Sequence, residues 1–131
     1  LVFQFLVPIT PPGTVGVVDA VTLLPVSGAT STASGDDIIV TLPTLADNKR
    51  VTFTLDGVNG LVAPMSATIG FLVGDANNTR SVNSSDISGV KARSGQATDA
   101  TNFKFDVNVS GSVNSSDISA IKARSGLVLP P

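Results

Sequence analysis

The chain has 131 residues, of which 42% are hydrophobic, and a mean hydropathy of +0.36, so its composition favours folding over disorder. Its net charge of −2, from 8 basic and 10 acidic residues, argues against nucleic acid or an anionic membrane as partner. Cysteine and histidine are both absent, which excludes disulfides, thiolate nucleophiles and most zinc sites.

The first 73 residues have the pattern of β-strands. Residues 50–56, RVTFTLD, alternate apolar Val51, Phe53 and Leu55 with polar threonines, which is the period of a half-buried strand. LVFQFLV, TVGVV, DIIVTL and SATIGFLV have a similar character, and Gly, Pro, Asn and Asp mark turns between them. The sequence predicts an immunoglobulin-like antiparallel β-sandwich over residues 1–73, in a chain of α+β class.

After residue 73 the sequence becomes a tandem repeat. Residues 75–95 and 106–126 are identical at 15 of 21 positions and share the strings SVNSSDIS and KARSG. Each copy is predicted to form a polar loop followed by a helix of about ten residues, with apolar side chains three apart on one face. Between the copies, QATDATNFKF is predicted to form a short third helix that offers Phe103 and Phe105 to a common core. The second predicted domain therefore spans residues 74–131.

Oxygen-bearing side chains recur at every second position of both loops. A calcium ion takes six to eight oxygens, and a twelve-residue loop can supply them from positions 1, 3, 5, 7 and 12, with position 9 acting through water. In the second loop these are Asp106, Asn108, Ser110, the Ser112 carbonyl and Asp117, with Asn114 at position 9. In the first loop they are Asp75, Asn77, Thr79, the Ser81 carbonyl and Asp86, with Asn83 at position 9.

The two loops are not equivalent at position 6. Gly111 permits the sharp turn there in the second loop, whereas Arg80 occupies it in the first. The alternative interpretation of both loops is a pair of Asn/Ser-rich turns, in which serine caps each helix and Asp86 or Asp117 suits the helix dipole. That alternative does not require aspartate at position 1 and asparagine at position 3 in both copies, so we predict two calcium ions.

Only a helix after each loop is predicted, because TIGFLVG before the first loop has the pattern of a strand. The string DxNxxGxVNSxD followed by IxxIKxRxG, duplicated within about 60 residues, resembles the type I dockerin repeat of secreted bacterial polysaccharide-degrading proteins. The resemblance covers residues 74–126 and implies a calcium-dependent module that docks to a cohesin domain on another protein. One departure is that Thr79 or Ser110 stands at position 5, where dockerins usually have aspartate.

The resemblance also implies which residues touch a partner, namely loop positions 10 and 11 and the exposed end of each helix. Those residues are Ser84, Ser85, Lys91 and Arg93 in the first copy and Ser115, Ser116, Lys122 and Arg124 in the second. The alternative is that the basic residues oppose the helix dipole and the serines cap the helices.

Three function classes follow, of which a non-catalytic binding module is the first. The second is a calcium-rigidified structural or sorting cap without a cohesin partner. The third is an aspartate-based hydrolase, which we do not expect because the acidic residues lie only in turns and ion loops. We expect a monomeric C-terminal region of a secreted or cell-surface bacterial protein, without membrane insertion.

Overall fold

A computed structural model describes residues 1–131, which divide into two compact units, residues 1–69 and residues 70–131. The predicted α+β class is confirmed, since two three-stranded sheets precede two helices. The units divide four residues before the predicted boundary at 73/74, and the domain limits themselves stay a prediction. Neither helix has the length and apolar content that crossing a membrane requires.

Six strands form the two sheets. They are β1 (Val2–Gln4), β2 (Thr14–Asp19), β3 (Thr30–Ser34), β4 (Asp37–Thr41), β5 (Lys49–Asp56) and β6 (Met65–Phe71). The sheet orders are β1-β4-β3 and β2-β5-β6. The strands β1 and β3 pair antiparallel with β4, and β2 pairs antiparallel with β5 in the register Thr14↔Asp56 to Asp19↔Val51. The immunoglobulin-like assignment stays a prediction.

The alternation predicted in RVTFTLD positions the core of the first unit. Val51, Phe53 and Leu55 are all buried, together with Ile38 and Val40 of β4. The strand β3 was not predicted, because all five residues of TSTAS are exposed and carry no apolar alternation. Pairing with β4 holds this strand in place, and its signal in the sequence is the two-residue turn Gly35–Asp36 that joins the two strands.

The second unit contains the two predicted helices, α1 (Ser84–Lys91) and α2 (Ser115–Lys122). Each has eight residues rather than about ten. The helices pack on a common core of Ala76, Val82, Val90, Phe105, Val113 and Ile121, with Ile87 and Ile118 partly buried against it. The three-residue spacing read from the sequence therefore identified the buried face of each helix.

The predicted short third helix between the copies is reduced to a single turn. Only a single 3₁₀ turn, Phe103–Phe105, forms there. Phe105 is buried as predicted, but Phe103 is 63% exposed. The preceding residues are held by side-chain hydrogen bonds instead, because Asp99 accepts from the backbone N–H groups of Thr101 and Asn102. Such local bonds compete with helix formation.

Candidate metal centre

Each helix begins at the end of a polar loop, and a capping box fixes the junction. The Asn83 Oδ1 accepts from the Ser85 N–H at 2.8 Å, and the Asp86 Oδ2 accepts from the Asn83 N–H at 2.9 Å. Asn114, Ser116 and Asp117 repeat this arrangement in α2. The helix caps are therefore asparagines and not the serines of the alternative interpretation, because an N-cap side chain must reach back over the first turn.

The last aspartate of each loop also bonds the beginning of the same loop. The Asp86 Oδ1 accepts from the Ala76 N–H at 2.9 Å and the Asn77 N–H at 3.2 Å. In the second loop the Asp117 Oδ1 accepts from the Asn108 N–H at 3.2 Å. Both carboxylates are buried. The residue at position 12 thus closes each loop on its own third residue.

The oxygens predicted to bind calcium converge within the second loop. The Ser110 N–H lies 2.9 Å from the Asp106 Oδ1 and 3.1 Å from the Asn108 Oδ1. The Ser110 hydroxyl donates to the Ser112 carbonyl at 3.1 Å. Positions 1, 3, 5 and 7 therefore turn their oxygens toward one another, which is the arrangement that a hard cation needs.

The first loop repeats the arrangement. The Thr79 N–H donates to the Asp75 Oδ1 at 2.9 Å and to the Asn77 Oδ1 at 3.1 Å. The Thr79 hydroxyl lies 3.4 Å from the Ser81 carbonyl. The Arg80 N–H donates to the Asp75 Oδ2 at 2.8 Å, as the Gly111 N–H does to Asp106. The hydrogen bonds are the same with arginine or glycine at position 6.

The donor set fits calcium. Asp86, Asp106 and Asp117 are buried. The salt bridge between Lys49 and Asp19, at 2.9 Å, lies in the first unit and so does not neutralise these carboxylates. Buried carboxylates are costly unless paired, so a bound cation would stabilise them. No three acidic side chains cluster together, because each loop supplies only two carboxylates. The remaining donors are amide, hydroxyl and carbonyl oxygens, which calcium accepts and softer metals do not favour.

Asp106 is held in its charged form. Burial opposes ionisation, but hydrogen bonds from the Thr98 hydroxyl and the Ser110 and Gly111 N–H groups outweigh it and lower the pKa of this carboxyl. The Thr98 hydroxyl lies 2.8 Å from the Asp106 Oδ2. A deprotonated carboxylate is the form that binds a metal.

Residues 73–124 match the family model of the dockerin type I domain. This segment is therefore similar to the type I dockerin domain. The domain type is calcium-binding and docks to cohesin domains, which bears out the resemblance drawn from the repeated loops. No curated protein matches the chain.

The predicted partner-binding residues differ in how far they are engaged within residues 73–124. Ser84, Lys91, Ser115 and Lys122 are exposed. Ser85 and Ser116 are also exposed but form hydrogen bonds within this segment, as do the half-buried Arg93 and Arg124. Each of these serine hydroxyls donates to the capping asparagine and accepts from the asparagine at position 3. All eight assignments stay predictions.

The arginines near the helix ends also make internal contacts. The Arg93 guanidinium lies 3.9 Å from the centre of the Phe105 ring and donates to the Gly89 carbonyl at 3.1 Å. In the second copy Arg124 donates to the Ala120 carbonyl at 3.1 Å. Both arginines are half-buried, so part of the KAR string stabilises the second unit itself.

Position 4 of each loop has a left-handed backbone conformation that was not predicted from the sequence. Asn78 and Val109 have φ values of 59° and 56°, in the left-handed region. Asparagine enters this region readily, whereas a β-branched residue does so rarely. Val109 is also 88% exposed and gains no burial in return. The sequence signal for this strain was a β-branched residue, Val109, within the sharply turned second loop.

Proposed function

We propose that residues 70–131 bind two calcium ions, one in each loop, and dock a secreted parent protein to a cohesin-type partner. The observation that carries the proposal is the convergence of the oxygens at positions 1, 3, 5 and 7 in both loops, each loop being closed by a buried aspartate at position 12. The ligands are Asp75, Asn77, Thr79, the Ser81 carbonyl and Asp86, and Asp106, Asn108, Ser110, the Ser112 carbonyl and Asp117.

Calcium is expected to supply positive charge at the centre of each loop and no chemistry on a substrate. The loop oxygens are already partly ordered by the Thr79 and Ser110 N–H groups, which lowers the entropy cost of binding. With only two carboxylates per loop, we expect dissociation constants on the order of 10⁻⁴ M, as in extracellular calcium modules. The role is non-catalytic, and a secreted polysaccharide-degrading bacterial protein is the parent that the proposal favours.

Calorimetry and amide hydrogen exchange test the calcium part. We expect two ions per chain, and at calcium concentrations a hundredfold above the dissociation constant each site stabilises the unit by about 2.7 kcal/mol. Amide exchange in α1 and α2 should therefore slow with calcium and quicken with a chelator. The strands of residues 1–56 serve as the internal control, since they contain no loop ligand. Identical exchange of both helices under the two conditions would contradict the proposal.

A second candidate is a calcium-rigidified cap without a cohesin partner. It is favoured by the internal bonds of Ser85, Ser116 and Arg93, which explain those residues without any interface. A pull-down from the secreted fraction of the source organism, with calcium and then with chelator, separates the two. Calcium-dependent capture of a cohesin-like protein supports docking. Calcium uptake without any such capture supports the cap.

A further inference from the structure

The segment after α2 pairs with the first loop. The Gly126 N–H donates to the Val82 carbonyl at 2.8 Å, and the Val82 N–H donates to the Leu127 carbonyl at 2.9 Å. The Leu129 N–H then donates to the Arg80 carbonyl at 2.9 Å. Ser81 and Val128 form an antiparallel bridge at the centre of this ladder. A segment of the second copy therefore holds a loop of the first.

The reverse pairing is also present. The Gly95 N–H donates to the Val113 carbonyl at 2.7 Å, and the Val113 N–H donates to the Gln96 carbonyl at 2.9 Å. The Thr98 N–H donates to the Gly111 carbonyl at 2.9 Å. Each of these residues lies 31 positions from its counterpart in the other ladder. The two copies thus exchange their post-helix segments.

The ladders bear on the carbonyl at position 7 of each loop. Ser81 and Val128 face each other as a non-hydrogen-bonded antiparallel pair, in which the carbonyls of the two facing residues point away from the ladder. Because Arg80 and Val82 direct their carbonyls toward the post-helix segment, the Ser81 carbonyl between them is turned toward the loop interior, where it accepts from Thr79. The Ser112 carbonyl is placed in the same way and accepts from Ser110. Each post-helix segment therefore orients one predicted ligand of the opposite site.

We propose that the two calcium sites are coupled through these exchanged ladders, so that an ion in one loop raises the affinity of the other. This inference rests on the proposed calcium function. The route runs from Asp117, in the first turn of α2, along that helix to residues 126–129, and from there to the Ser81 carbonyl. The reciprocal route runs from Asp86 through α1 to residues 95–98 and the Ser112 carbonyl.

The coupling has a physical basis in shared ordering. A segment that must be ordered for either site is ordered only once when both fill, so the second ion binds at a lower entropy cost. The two helices also contact each other, and Val82, Val90, Val113 and Ile121 are buried in one core. Movement of one helix start is therefore passed to both post-helix segments.

A matched pair of variants tests the coupling. Asn77→Ala impairs the first loop and Asn108→Ala impairs the second, at the same position 3 of each. In Asn77→Ala, calcium binding at the second loop should slow exchange of the Val82 and Leu129 N–H groups about fivefold, at the low end of typical coupling. In Asn108→Ala, the Val113 and Thr98 N–H groups should respond equally. By calorimetry, each remaining site should bind about fivefold more weakly than in the unmodified chain.

A second pair of variants separates the ladder from side-chain packing. Leu129→Pro removes the N–H that donates to Arg80, whereas Leu129→Ala removes the buried side chain and keeps that N–H. Only the proline variant should abolish the effect of the second loop on the first while leaving the reverse effect intact. If both ions bind but neither single-loop variant alters the other site, the coupling is wrong and the calcium function stands. If the unmodified chain binds no calcium, both are wrong.

Discussion

The two copies of the repeat agree in their loops and helix starts but differ in the core. Where the second loop is preceded by Phe105, the first is preceded by Gly74, 31 positions earlier. The helices compensate for this difference. Gly89 of α1 leaves room for the Phe105 ring, since a methyl group there would lie 3.0 Å from the Phe105 Cε1. Ala120 stands at the equivalent position of α2.

The opposite side of the core is filled from the other helix. A methyl group on Gly74 would lie 3.5 Å from the Ile121 Cγ1, so Ile121 occupies space near the missing side chain. Its counterpart in α1 is the smaller Val90. The difference shows that duplication constrains the polar loops, whereas the core needs only a conserved total volume and exchanges large and small residues between copies.

The strained positions of the loops are also exchanged. In the first loop Asn78 suits its left-handed conformation and Arg80, with φ 69°, does not. In the second loop Gly111, with φ 87°, suits its conformation and Val109 does not. The strain at Arg80 in the first loop is therefore matched by strain at Val109 in the second.

The largest effect on stability is expected at Phe105, where the two copies differ most. Phe105→Ala should lower the free energy of unfolding of residues 70–131 by about 3–5 kcal/mol, because a buried aromatic ring is lost and no equivalent side chain can replace it. Phe103→Ala is the matched control and should change little, since that ring is exposed. Denaturant unfolding followed in calcium measures both. Equal effects of the two substitutions would show that Phe105 does not fill the core.

A smaller effect is expected at the strained loop positions. Val109→Asn should stabilise the second unit by about 1 kcal/mol, because it relieves the backbone strain of a β-branched residue in the left-handed region. Arg80→Gly should relieve similar strain but also lose the bond from the Arg80 guanidinium to the Pro130 carbonyl, at 3.2 Å, so its net gain should be smaller. Thermal unfolding with excess calcium ranks the two.

The control for both substitutions is Val109→Ala, which removes the branch and keeps a side chain at positive φ. Its gain should fall below that of Val109→Asn. If Val109→Asn destabilises the unit, contacts of the valine side chain must balance the strain. That result would contradict the inference drawn from the exposure of Val109.

The sequence predicted the loops and helices of the second unit better than the hydrogen bonds that join the two copies. Repetition made the ion loops and the helix faces recognisable, since the same residue types at the same spacing occur twice. It did not reveal the exchanged ladders, because backbone hydrogen bonds between residues 126–129 and 80–82 leave no side-chain pattern. Nor did it place the Thr98 hydroxyl against Asp106, eight residues away in a segment that was predicted to be helical.

The smallest effect is expected on affinity for a partner, from substitutions at exposed positions where the two copies agree. Ser84 and Lys91 of the first copy and Ser115 and Lys122 of the second are exposed at matching positions. If a cohesin-type partner recognises either face, then Ser84→Ala with Lys91→Ala should cost only the statistical factor of about two in affinity, roughly 0.4 kcal/mol. The corresponding changes in the second copy should cost the same.

Combining all four substitutions should abolish binding, although each pair alone is nearly silent, because docking energy usually concentrates in a few central residues. Arg93 and Arg124 are left unchanged in this test, since their internal hydrogen bonds would confuse docking with folding. Calcium uptake, measured on the same samples, is the control for folding. Complete loss of partner binding from the first pair alone, with calcium uptake intact, would show that one fixed face docks and that the symmetry of the surface is a relic of duplication.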